Sequence, residues 1–314
     1  MEKNKKRNNE KGDIMVVRGS PTIQVWLTTA LVFGIIAGLL AVLMLMTGNE
    51  VSILSLFIFS LILLAIQWYL GPIIIKWVSG AKEVSPQEAP ELHAALERIA
   101  KESGIPKPKL YIVNSSVPNA FAFGRGKNDS GIAIHMGLLQ RLNKKEVEAV
   151  IAHEVGHIKH NDVIVMTIAS VIPVLLYYVA IMVLSGRDDN RPNPIAVFVG
   201  GILAQLIGQL VVLWLSRQRE YYADAHSREI MKDPMPLASA LVKITYDIPA
   251  QSGNNALNTL YVAEHGFVSE SLLSAIQRND LIALKKAVEK EPNQPFEFMS
   301  THPSMKNRLK NLLS

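Results

Sequence analysis

Four runs of this chain carry no charged residue: 22–47, 51–75, 163–185 and 192–216. Each is longer than the roughly 20 residues that a helix needs to cross a hydrocarbon core about 30 Å thick. Helices buried inside a soluble protein are seldom this long. Charged residues make up 19% of the chain, below the roughly 25% of a typical soluble domain, and hydrophobic residues 49%. The first run follows a basic flank of Lys3, Lys5, Lys6, Arg7, Lys11 and Arg18. It is too long for a signal-peptide core and lacks a small-residue cleavage site, so an anchor that stays in place is expected. With no cysteine in the chain, disulfides, Cys-ligated zinc and a cysteine nucleophile are excluded.

Lys and Arg near membrane spans concentrate on the cytoplasmic side. Six precede the first run, none lies in the turn 48–50, Lys76 and Lys82 follow the second, and Arg217 and Arg219 follow the fourth. The loop 186–191 is the weakest point of this pattern, since its Arg187 and Arg191 are offset by Asp188 and Asp189. Four spans place the N-terminus, the middle segment and the C-terminus in the cytoplasm. The net charge of +5 then favours the anionic inner leaflet, and no nucleic-acid motif is present. The expected organisation is a basic N-terminus (1–21), a first membrane hairpin (22–75), a first soluble part (76–162), a second hairpin that crosses or lies along the membrane (163–216) and a second soluble part (217–314).

Within 76–162, Leu92, Ala95, Leu96 and Ile99 keep helical spacing from about Pro90, and Gly104 with Pro106 ends the helix. A strand is expected at 109–113. Segments 120–123 and 131–136 flank the polar turn GRGKNDSG and predict a hairpin, with Ile132, Ile134 and Met136 alternating as in a half-buried strand. Asn143 and Glu146 form a capping-box pattern ahead of an apolar stripe of Val147, Val150, Ile151, Val155 and Ile158.

That predicted helix carries HEVGH, residues 153–157. Residues four apart share a helix face, so His153 and His157 can aim two ring nitrogens at one ion. Glu154 is rotated by about 100° and addresses a water beside it, as in H-E-x-x-H metalloproteases. Gly156 adds no bulk. Taken alone, the pentapeptide also fits the polar end of a membrane helix. A catalytic site of this kind needs a third protein ligand. His157 stands 32 residues before Asp189, near the hairpin tip, and Glu220 stands 31 after it. Arms of equal length bring the two to a similar height. Asp224, one turn on, suits the second ring nitrogen of a ligand histidine.

HEVGH together with REYYADAHS at 219–227 resembles the HtpX-type family of membrane-embedded zinc metalloproteases, relatives of the prenylated-protein (CAAX) endopeptidases. PNAFAFG at 118–124, GLL at 137–139, and THPS at 301–304 followed by Arg308 extend the resemblance over nearly the whole chain. It implies a mainly α integral membrane protein, with four transmembrane helices and a cytoplasmic α+β zincin-like catalytic domain containing a small β-sheet. It implies one Zn2+ per chain held by His153, His157 and Glu220, with Glu154 as general base. Asn119, Ala120 and Phe121 would bind substrate backbone, and His302 and Arg308 would steady the oxyanion. Polypeptides, unfolded or membrane-bound, and the lipid bilayer are the implied partners. The strand at 120–123 suits an extended peptide added at its free edge.

His160, three residues past His157, is an alternative ligand, but the hairpin favours Glu220 and leaves His160 at the surface near the membrane. His226 is structural or solvated, and His93, His135 and His265 have no partner pattern. His302 before Pro303 fits a helix N-cap as well as an oxyanion role. Gly200, Gly201 and Gly208 suit close helix packing. Quality-control proteolysis competes with a CAAX-type maturation protease and with a non-catalytic zinc-binding scaffold. A scaffold has no use for Glu154. A transporter is disfavoured because no span carries an ionisable residue.

Overall fold

A computed structural model describes residues 53–184, 194–246, 269–294 and 296–314. The first uncharged run and the loop 186–191 therefore lie outside the described residues. The other three runs form helices long and apolar enough to cross a membrane, within Phe57–Ser79, Asp162–Leu184 and Ile195–Met231. Helix α1 (Ile53–Ser79) leaves Ile58, Ile62, Ile66 and Ile73 exposed, an apolar surface that water would not tolerate on this scale.

The third run keeps its expected length but is interrupted at one residue. Helix α5 (Asp162–Ala169) ends at Ser170 and α6 (Val171–Leu184) follows. The cause is Pro173, which has no N–H for the Ala169 carbonyl. Ser170 Oγ, at the interruption, donates to the Thr167 carbonyl at 2.6 Å. The returning helix, α7 (Pro194–Met231), is a single rod of 38 residues, about 57 Å long. It leans on α6 through its glycines: a Cβ at Gly208 would stand 2.6 Å from Pro173 Cα, and one at Gly201 2.9 Å from the Tyr177 ring. Past Ser216, α7 leaves its apolar portion and enters the region that holds the sheet.

That region begins with β1 (Lys82–Glu83), α2 (Pro90–Ser103), β2 (Lys109–Val113), β3 (Ala120–Gly126) and β4 (Asp129–His135). The sheet order is β1-β2-β4-β3, with β2 parallel to β4 and the other pairs antiparallel. Strand β3 is thus an edge. The expected hairpin is present with longer strands, but Met136 is outside it. Gly137 N–H donates to the Ser115 carbonyl at 2.8 Å, drawing the backbone off the ladder into α3 (Met136–Arg141). Nor is β4 half-buried. Ile132 and Ile134 enter the main core, while Ala133 is covered on the other face by Tyr111, Val113 and Phe123.

Helix α4 (Lys144–Lys159) starts at the expected capping box. Asn143 Oδ1 accepts from Glu146 N–H at 3.0 Å, and the Glu146 carboxylate accepts from Asn143 N–H at 2.8 Å. The other Glu146 oxygen accepts from Ser239 Oγ at 2.6 Å and Lys243 Nζ at 2.7 Å, both on α8 (Met235–Thr245). Helices α9 (Glu270–Gln277) and α10 (Leu281–Lys290), a 3-10 turn (Glu297–Met299) and α11 (Met305–Leu313) complete the chain. Segments on either side of the membrane hairpin share one core: Leu96, Ile99 and Ile151 meet Leu237, Leu309 and Leu312. This sharing carries α7 across α4 and fixes the site.

Candidate active site

Helices α4 and α7 cross at Gly156, where a Cβ would lie 3.1 Å from Ala223 Cα. Any larger side chain would push the helices apart, so glycine sets how near Glu220 comes to the histidines. His153, His157 and Glu220 each bring a ligand atom to within 4.8 Å of the others. The two Nε2 atoms are 3.2 Å apart. Glu220 Oε2 is 3.7 Å from His153 Nε2, and its Oε1 is 3.6 Å from His157 Nε2.

The outer ring nitrogens also meet carboxylates. His157 Nδ1 donates to Asp162 Oδ2 at 2.6 Å. His153 Nδ1 is 3.0 Å from Asp224 Oδ1, without the alignment of a hydrogen bond. Carboxylates behind both rings turn the Nε2 lone pairs inward, toward one another and toward Glu220. The cluster favours positive charge, some of it supplied by Arg308 at Glu220, and its two imidazoles and one carboxylate form a donor set that suits zinc. The His157 pKa shows the same demand for positive charge. Burial opposes its charged form, but Asp162, Glu154 and Glu220 outweigh that and raise the pKa to about 9.

Glu154 lies beside the cluster, buried, with its pKa raised by that burial. One of its oxygens accepts from Ala122 N–H at 2.8 Å. In an antiparallel ladder alternate residues turn their backbone groups away from the partner strand. Ala122 is such a residue, so the free edge of β3 faces the base. Asn119, Ala120 and Phe121 line the same cavity, of about 470 Å³, as the cluster.

His302 Nδ1 is 3.2 Å from Glu220 Oε1. Its expected alternative as an N-cap belongs to Ser304, whose hydroxyl accepts from Asn307 N–H at 3.3 Å. Arg308 keeps only 11% of its side chain exposed: Nη1 is 3.2 Å from Glu220 Oε2, and Nε donates to Asp224 Oδ2 at 3.0 Å. Its guanidinium therefore grips two carboxylates of α7.

Two further residues join the site without having been singled out in the sequence. Asp162 backs His157, and Arg219 donates to Asp162 through Nε at 2.6 Å and through Nη2. An acidic residue five positions after HEVGH and an arginine directly before Glu220 were the available signals. His160 stays outside the cluster, with its ring centroid 5.8 Å from that of Tyr222. His226 is buried and hydrogen-bonded to Ser103 Oγ at 2.9 Å. His93 and His135 meet the carbonyls of Val84 and Val117. His265 lies outside the described residues.

The family model described as peptidase family M48 matches residues 86–314. The chain belongs to peptidase family M48. This M48 chain is 40% identical over 235 residues to a protease HtpX homolog of Methanothermobacter thermautotrophicus, covering 74% of the chain and 88% of that protein. It is 35% identical over 270 residues to a protease HtpX homolog of Moorella thermoacetica, covering 82% and 83%. Among solved structures, Ste24p of S. mikatae superposes with a TM-score of 0.55 at 19% identity. The match covers 92% of the chain but 66% of that longer protein, a likeness of fold. The M48 chain is an HtpX-type membrane metalloprotease, as the resemblance of HEVGH and REYYADAHS implied.

Proposed function

We propose that the protein is a zinc-dependent endopeptidase acting at the cytoplasmic membrane face, where it cleaves misfolded or surplus membrane proteins. The observation that carries this is the convergence of His153, His157 and Glu220 beside a buried Glu154 that touches the edge strand. Zinc held by those three residues would polarise a scissile carbonyl and lower the pKa of a water at its open position. Glu154 takes the water proton and returns it to the leaving amine, a role its raised pKa suits. A substrate strand docks along β3 through backbone bonds, which gives affinity with little sequence preference. Asn119, Ala120 and Phe121 hold it in place. On docking, Ala122 N–H passes from Glu154 to the substrate and frees the base. His302, on the cavity wall, donates to the oxyanion. Arg308 supports it from behind, through Glu220. Basic flanks, four spans including 22–47, and the soluble parts 76–162 and 217–314 on one side of the bilayer complete the proposed arrangement.

Glu154→Ala should keep one equivalent of zinc and lose cleavage of an unfolded model protein. Cleavage by that variant at the parent's rate would refute the mechanism.

A further inference from the structure

We propose that Arg219 is a positioning residue that clasps the two arms of the membrane hairpin and so sets the metal site. This rests on the zinc reading above. Arg219 and Glu220 are neighbours on α7, about 100° apart around its axis. Glu220 turns toward the histidines, and Arg219 turns toward the base of the other arm.

There the chain leaves α4 through Asn161, in the left-handed conformation with φ 56°, and enters α5 at Asp162. The corner brings the Asp162 carboxylate beneath His157, where Oδ2 accepts from Nδ1 at 2.6 Å. Oδ1 accepts from Arg219 Nε at 2.6 Å and from Nη2. The same Nη2 donates to the His160 carbonyl at 2.8 Å, at the end of α4. The Tyr222 ring lies beneath the guanidinium, 5.5 Å away. Side-chain exposure is 15% for Arg219 and 11% for Asp162, so solvent screens the pair weakly.

Arg219 therefore ties three segments together through one side chain: the end of the HEVGH helix, the first residue of α5, and the turn of α7 that carries Glu220. A one-residue slip of α7 would rotate Glu220 away from the histidines and break the clasp with it. The fork of the guanidinium is needed, because a lysine ammonium cannot keep the same planar set of bonds to Asp162 and the His160 carbonyl. Without the clasp, Asp162 loses the partner that aims it, and the His157 ring loses its orientation.

The test uses the full chain in detergent, stripped of metal and titrated with zinc against a chelator. Parent, Arg219→Gln and Arg219→Lys are compared, with cobalt(II) visible spectra as a second readout. Arg219→Gln should bind zinc about 10- to 100-fold more weakly and shift the cobalt spectrum. Arg219→Lys should fall between it and the parent in zinc affinity, and the metal-free melting temperatures should follow the same order. Parent affinity in folded Arg219→Gln overturns the proposal, as does a lower metal-free melting temperature with zinc affinity unchanged. Should Arg219→Gln not fold, parent affinity in Arg219→Lys overturns it. A folded parent that takes up no zinc sinks the proposed function itself, and this inference with it.

Discussion

Gly156 and Ala223 mark the crossing of the helices that carry His153, His157 and Glu220. A methyl group at 156 would stand 3.1 Å from the Ala223 Cα and 3.2 Å from the His226 Cβ. Ala223 Cα is backbone and His226 Cβ is fixed to its own, so neither can swing aside. Gly156→Ala should part the helices by a few tenths of an ångström and cost about 1–2 kcal/mol of stability. Zinc affinity should fall by roughly tenfold as Glu220 retreats. Chelator competition on the purified variant checks this, and an affinity equal to the parent's would contradict it.

Asp224 is fully buried between His153 and Arg308. Asp224→Asn keeps the shape but removes the charge that compensates the guanidinium. Arg308 then has only Glu220 to neutralise it and competes more strongly with the metal for that carboxylate. Zinc affinity should drop about 10- to 100-fold, and thermal stability should fall too, by about 3 kcal/mol, as for a broken buried pair. Titration calorimetry with zinc reads the first effect, and melting of the metal-free protein the second.

Glu146 serves the N-terminus of α4 and the α8 contact at once. Glu146→Ala would leave Lys243 without its acidic partner and lose half of the capping box. A loss of about 3 kcal/mol is expected, with the zinc content of the folded fraction unchanged because the ligands lie two turns away. Differential scanning together with metal analysis separates the two.

Arg125, at the far end of β3, donates through Nε and Nη2 to the Tyr69 carbonyl at 3.0 and 2.8 Å, and its guanidinium lies 4.7 Å from the centre of the Tyr69 ring. The edge strand is thereby tied to membrane helix α1. Arg125→Gln should raise KM severalfold while kcat changes little, because Arg125 lies three residues beyond Ala122, the β3 residue that meets Glu154, and its loss loosens the docking edge. A fall in kcat at unchanged KM would contradict that division.

The features that could be read along the chain are those made by near neighbours. HEVGH puts two ring nitrogens on one helix face whatever surrounds it, and Asn143 with Glu146 caps that helix within a single turn. The match between His157 and Glu220 was also legible, because a hairpin of two apolar helices converts equal arm lengths into equal height. The break at Ser170 could have been read from Pro173, but mean apolarity conceals it. Ala133 reads as the exposed side of an alternating strand, and nothing nearby in sequence announces the aromatic cover over it.

By itself, then, the sequence determined the apolar helices, the helix that carries HEVGH and the side chains it turns to one face, since local periodicity and capping govern these. Only the tertiary structure decided that Glu154 meets the Ala122 N–H, that Arg308 grips Asp224 and Glu220, and that Arg219 holds Asp162 under His157. Those contacts join residues 32 to 88 positions apart, and their partners are chosen by the packing of α4 against β3, α7 and α11, which no local pattern encodes.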